Sequence, residues 1–167
     1  QLISTAAELS ALMQRLMAIT DASTPVALDT ETTALNPFQA ELVGIGVCWG
    51  DEPDALAYIP IGHRPADDLT AEQPPQLPLE SVLTALAPWL ASADHPKALQ
   101  NAKYDRLILL RHGLALEGVV IDTLLADYLR DAAAKHGLEV MAEREFGFSP
   151  TAYSDLVGKK QTFADVA

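Results

Sequence analysis

Asp29, Thr30 and Glu31 close the apolar run Val26-Ala27-Leu28, and two of these three residues are acids. In a strand, residues two apart share a face, so Asp29 and Glu31 would project side by side from a strand end. Adjacent carboxylates repel each other and lose hydration unless a cation lies between them. Hard oxygen ligands suit magnesium or manganese, which makes the pair a candidate metal site. The same residues also suit a strand running into a polar turn, because Thr32, Thr33 and Asn36-Pro37 follow. A second group of similar chemistry lies downstream. Asn101 and Asp105 are four apart, which puts both on one face of a helix and near its N-terminus. Each also has an ordinary role open to it, Asn101 as an N-cap and Asp105 as a solvated first-turn acid. Asp122, at the end of another apolar run, is expected to cap the helix that follows it.

The elements that must position these residues alternate in kind. Leu9, Leu12, Met13, Leu16 and Met17 recur at helical spacing between Ser4 and Ile19, with Ser4 or Thr5 available as N-cap. Val26–Thr30 reads as a short buried strand, followed by strands over Leu42–Trp49 and Ala55–Ile59. The short, turn-rich segment Gly50-Asp51-Glu52-Pro53-Asp54 implies antiparallel pairing of the last two. Gly62–Pro78 is rich in proline and acid and reads as a surface loop. Leu79–Leu90 is expected to be helical and Ala98–Gln100 a short strand. The helix through Leu107–Leu110 is expected to end at Gly113. Val119–Ile121 is expected as a further buried strand, followed by helices from Thr123 to about Ala134 and from Leu138 to before Gly147. Thr162–Ala167 is helix-like. Strands in a meander, then strands alternating with helices, imply an α/β domain with a mixed sheet covered by helices on its faces.

The 167 residues fit one domain with a real core, and 49% hydrophobic with 20% charged residues is globular composition. No apolar run reaches the roughly 18 residues that a membrane helix needs, and no signal-peptide pattern opens the sequence. Cys48 is the only cysteine, which excludes an internal disulfide and points to a reducing, cytoplasmic setting; between Val47 and Trp49 it reads as packing. A net charge of -12 argues against gripping nucleic acid by bulk electrostatics. It leaves room for a nuclease whose acidic site is neutralised by metal ions and which relies on a partner or tethered domain to deliver substrate.

Taken in order, several segments resemble one family. Val26-Ala27-Leu28-Asp29-Thr30-Glu31-Thr32 with Leu35, then Leu42-Val43-Gly44, then Ala57-Tyr58-Ile59-Pro60-Ile61-Gly62-His63 resemble the opening of the 3′–5′ proofreading exonuclease domain of bacterial DNA polymerase I. Gln100-Asn101-Ala102-Lys103-Tyr104-Asp105-Arg106 resembles the second exonuclease motif of these family A polymerases. Ile121-Asp122-Thr123 and Gly158-Lys159-Lys160-Gln161-Thr162-Phe163 resemble segments that follow it. The resemblance implies a ribonuclease H-like fold: a mixed five-stranded sheet with helices on both faces, here without its C-terminal helix. It also implies phosphodiester hydrolysis at a DNA 3′ end with two divalent cations, Mg2+ or Mn2+, roughly 3.5–4 Å apart.

Carried over by position, Asp29 would bridge both ions, Glu31 would bind the first, and Asp105 would hold the second through water. Leu35 matches an apolar wedge against the terminal base. Thr32, Asn101 and Tyr104 match contacts to the terminal nucleotides, and Phe163 matches an aromatic that stacks on the single strand. Lys103 and Arg106 suit phosphate contacts and solvated surface positions equally. His63 reads as a structural loop residue, because hard cation sites favour oxygen. The family's third motif, a tyrosine and an aspartate four residues later, is not found by Ala167, and neither Tyr153 nor Asp155 replaces it. Residues 1–167 are thus expected to form one exonuclease domain cut before that motif. An attached polymerase, a single-stranded or frayed primer terminus as substrate, no membrane, and a nucleoid-associated place in the cytoplasm are the implied setting. Two other readings stand beside it: a catalytically silent domain supporting the polymerase, and a 3′–5′ exoribonuclease of the ribonuclease D type.

Overall fold

Helix α1, Ala6–Met17, begins where the chain supplies a complete cap. The Thr5 hydroxyl accepts from the Glu8 N–H at 3.3 Å, and the Glu8 carboxylate accepts from the Thr5 N–H at 2.9 Å. Leu9, Leu12 and Leu16 then fall on one face and are buried. The computed structural model describes residues 1–64, 75–158 and 161–166. Most of the expected loop over Gly62–Pro78, with Lys159, Lys160 and Ala167, lies outside the described residues.

Strands β1 (Val26–Thr32), β2 (Leu42–Cys48), β3 (Leu56–Pro60), β4 (Lys97–Leu99) and β5 (Val119–Asp122) form one sheet in the order β3-β2-β1-β4-β5. The first three pair antiparallel, as their short connections require, while β4 and β5 run parallel to β1. Helix α2 (Leu79–Leu90) precedes β4, and helix α3 (Ala102–Arg111) follows it. The side chains of α1, α2 and α3 meet one face of the sheet, where Leu16, Leu86, Trp89, Ile108 and Leu109 pack on Val26, Leu28 and Ile45. The sheet of mixed sense backed by helices is the α/β architecture expected.

Several expectations need correction. β1 is not buried throughout. Val26, Leu28 and Thr30 face the core, while Ala27 and Asp29 face out, as the period of two dictates. β5 is not buried either; Val119, Val120 and Ile121 are exposed because β5 is the sheet's edge strand, paired only with β4. Helix α4 (Thr123–Arg130) stops short of Ala134, where the Asp131 carboxylate takes the Ala133 N–H at 3.0 Å and turns the chain. Helix α5 (Leu138–Phe146) ends as expected before Gly147, whose φ of 64° is the left-handed cap. A short helix α6 (Tyr153–Leu156) was not anticipated. The helix-like stretch from Thr162 is only a 3-10 turn, Phe163–Asp165, closed by a Thr162–Asp165 capping box.

Candidate active site

Strand β1 is central, flanked by antiparallel β2 and parallel β4. Pairing with β4 stops at Ala27, so from Leu28 onward one edge of β1 has no strand beside it. Helix α3 fills that side. The Asp105 carboxylate, 2% exposed, accepts from the Thr30 backbone N–H at 3.0 Å and from the Thr30 hydroxyl at 2.7 Å. Asp105 thus takes the hydrogen bond a neighbouring strand would otherwise supply. It is not the solvated first-turn acid that is its ordinary role.

Asp29 and Glu31 point to the opposite face from Thr30, side by side as their spacing requires. A groove of about 470 Å³ lies on that face, lined by Ala27, Gly46, Tyr58, Ala98, Gln100 and Leu138, and it includes Asp29. Asp29 keeps surface open to solvent, yet the protein packed around it raises its carboxyl above the usual range. Glu31 is pushed up to about 7, first by desolvation and then by the charges of Asp29 and Asp105. Asp105 is pushed up to about 6 by burial, opposed by the Thr30 hydroxyl and raised further by Asp29. No cationic side chain among the described residues is one of the charges acting on these three acids.

Asn101 sits where an N-cap would, but its side chain caps nothing. Its backbone is left-handed, φ 63° and ψ 51°, a conformation asparagine tolerates better than most residues. Asp122 does the capping for two helices. Its carboxylate accepts from Leu124 and Leu125 of its own helix, as expected, and also from Asn101 N–H at 3.0 Å and Ala102 N–H at 2.9 Å. Asp122 therefore aims α3, and with it Asp105, at β1. Tyr104, one residue before Asp105, shares a 2.5 Å hydrogen bond with the Thr32 hydroxyl and donates to the Ala34 carbonyl at 2.5 Å. These bonds hold the loop that presents Leu35, which is 95% exposed. Asp29, Glu31, Thr32, Leu35, Tyr104 and Asp105 thus share one end of the sheet. Phe163 lies on the 3-10 turn beside β1, half-buried.

A family model described as a 3′–5′ exonuclease matches residues 1–166. The chain belongs to the 3′–5′ exonuclease family. Among curated relatives, the exonuclease chain is 45% identical to DNA polymerase I of Synechocystis sp., with 99% of the chain covered; it spans 16% of that protein. The fold matches Escherichia coli RNase D, an exoribonuclease, with a TM-score of 0.61 at 20% identity, covering 99% of this chain and 39% of that one. Brucella melitensis NrnC with bound Mg2+ matches with a TM-score of 0.55 at 20% identity, over 77% of this chain and 56% of that one. The exonuclease has the ribonuclease H-like fold that its motifs implied.

Two features of the exonuclease site were not read from its sequence. Thr30 holds Asp105 through both its backbone and its hydroxyl, and the only signal was its place between the two acids. Tyr58 and His63 form a bonded pair on the β3 side, which no local pattern announces.

Proposed function

We propose that this domain removes nucleotides from a DNA 3′ end by hydrolysis with two divalent cations, Mg2+ or Mn2+. The observation that carries the proposal is the grouping of Asp29, Glu31 and Asp105 at one end of the sheet: burial raises all three carboxyls, Asp29 and Asp105 raise Glu31 further, Asp29 raises Asp105, and no cationic side chain among the described residues offsets them. Their donor set fits hard cations, which take carboxylate oxygen. Among the described residues no three His, Cys, Asp or Glu side chains stand together as a ready-made metal-holding group. Asp29 would bridge the ions, Glu31 would hold the first and Asp105 the second. Bound there, the ions would supply charge stabilisation to the attacking and leaving oxygens and would lower the pKa of the attacking water.

The chain's own residues place the strand. Leu35 offers an exposed apolar wedge for the terminal base, and Phe163 offers a ring for stacking. Thr32, Asn101 and Tyr104 would touch the terminal nucleotides. We propose further that the chain acts as one exonuclease domain within a DNA polymerase I, editing frayed primer ends for the polymerase in the bacterial cytoplasm, close to the nucleoid. The curated relative, a DNA polymerase I, supports the polymerase part of this reading. No helix among the described residues is long and apolar enough to cross a membrane.

The test is hydrolysis of matched DNA and RNA oligonucleotides by the full-length protein, stripped with EDTA and then given Mg2+. Metal-dependent 3′–5′ shortening with DNA preferred is expected. Strong RNA preference would favour the ribonuclease D type, and no shortening of either would leave a silent structural domain.

A further inference from the structure

The turn that carries Phe163 is fastened to β3 through His63. The His63 main chain is held on both sides by one glutamine: its N–H donates to Gln76 Oε1 at 3.0 Å and its carbonyl accepts from Gln76 Nε2 at 2.9 Å. Its ring is bonded at both nitrogens. Nδ1 lies 2.9 Å from the Val166 carbonyl, and Nε2 lies 2.7 Å from the Tyr58 hydroxyl. A carbonyl oxygen only accepts, so Nδ1 carries the hydrogen; in the neutral ring Nε2 then accepts, and Tyr58 donates. The neighbouring Arg64 N–H donates to the Ala164 carbonyl at 2.8 Å. The Phe163 ring sits 6.0 Å from the His63 ring and stacks on Tyr153 at 6.5 Å.

The other end of this chain of contacts reaches the carboxylates. Tyr58 lies across Gly44, where a Cβ would fall 1.9 Å from the Tyr58 hydroxyl oxygen. Gly44 is the cross-strand partner of Glu31. Glycine at 44 is therefore what lets the Tyr58 ring cross β2 toward Glu31, and the Glu31 charge adds to burial in pushing the Tyr58 hydroxyl up. A continuous path runs from the Phe163 turn through His63 and Tyr58 to the strand pair that holds Glu31.

We propose that His63 and Tyr58 are positioning residues: they set the Phe163 ring at a fixed place beside the carboxylate strand, and so set where the end of a single strand lies. The proposal rests on Phe163 stacking on that strand. A three-residue 3-10 turn has too few bonds of its own to keep a ring in register, and the His63–Val166 bond spans 103 residues of sequence. The ring supplies sequence-tolerant contact area, and the histidine supplies its address.

Two substitutions at one position separate the links. His63→Asn keeps an amide N–H near Nδ1 and retains the Val166 bond. His63→Gln places its amide nearer Nε2, retains a partner for Tyr58 and releases Val166. Exonuclease kinetics of the full-length protein on single-stranded DNA with Mg2+ are the readout. They are paired with the fluorescence of a 2-aminopurine near the 3′ end, which stacking quenches. Phe163→Ala and His63→Gln are each expected to raise KM about tenfold at unchanged kcat and to relieve the quench. His63→Asn is expected to stay within about twofold of the parent, and Tyr58→Phe to fall between them. No KM change in Phe163→Ala would overturn the stacking itself. A KM rise in Phe163→Ala with parental behaviour in both His63→Gln and Tyr58→Phe would overturn the positioning role alone. A fall in kcat in place of the KM rise would show action through Glu31, and would equally overturn it.

Discussion

Lys97 and Asp105 are both withdrawn from water, at 0% and 2% exposure, and the domain surrounds them in opposite ways. Lys97 Nζ donates to the Ser92 carbonyl at 3.1 Å and the His95 carbonyl at 2.7 Å, and it lies 4.8 Å from the centre of the Trp89 ring. Burial lowers Lys97 to about 8, with Glu117 opposing, so the ammonium remains charged at neutral pH in a cage that satisfies it. Asp127, 4% exposed, is likewise matched by His136 at 2.7 Å and Arg144 at 2.5 Å. The charges that couple to Asp105 are two more acids, Asp29 and Glu31. A buried charge provided with partners is structural. A partly buried cluster of one sign, with no counter-charge among the described residues, is a site that something else must complete.

The sharpest way to break this contrast is to remove a charge from the unbalanced side. Asp29→Asn is expected to lower exonuclease kcat on the order of 10³-fold, the scale of losing metal-based charge stabilisation. It is also expected to raise the Tm of the metal-free protein, because a repelling charge has gone. A fall in both quantities would mean that Asp29 is a structural acid.

Metal binding should produce the next largest effect. Mg2+ at about 100 times its dissociation constant stabilises by about 2.7 kcal/mol, or roughly 5–10 °C for a domain of this size. The pH dependence has a definite sign. Glu31 and Asp105 are raised in the folded state, so the folded protein binds more protons than the unfolded one between about pH 4 and 7. Stability without metal therefore falls as pH rises through that window. Thermal melts from pH 4 to 8, with EDTA and with Mg2+, should show the fall only with EDTA.

On the balanced side, Lys97→Met keeps the volume but leaves the Ser92 and His95 carbonyls unpaired. It should destabilise by about 2 kcal/mol while leaving kcat unchanged, as read by denaturant unfolding beside the exonuclease assay. The smallest effect belongs to Thr30→Val. It removes the 2.7 Å hydroxyl bond to Asp105 and keeps the backbone one. A loss of about 1 kcal/mol or less, with roughly a tenfold drop in activity, is expected. Equal losses in the Lys97 and Thr30 variants on both readouts would erase the distinction between the two regions.

Much of this was legible in the residues themselves. The alternation in Val26–Thr32 placed Asp29 and Glu31 on one face, and Thr5, one of two cap candidates, announced the start of α1. The ordered motifs identified the family. What local patterns missed were partners. Asp122 was legible as a cap for α4, but its second task, holding Asn101 and Ala102 at the start of α3, depends on β4 and β5 lying side by side. Val119–Ile121 reads as buried because an apolar run carries no record of whether its strand lies at the centre or the edge of a sheet.

The sequence alone determined the chemistry available: which strand ends in two acids, which helix brings a third, and that Asp122 caps α4. These follow from periods of two and 3.6 residues and from short-range hydrogen bonding, all of which act within a few residues. Only the tertiary structure decided what those acids meet. Thr30 and Asp105 are 75 residues apart, and His63 and Val166 are 103 apart. A carboxylate's pKa is set by whatever packs within a few ångströms of it, wherever that lies along the chain. Asp29, Thr30 and Glu31 could be read as a pair of acids around a threonine; the folded sheet made the threonine the anchor of the third acid.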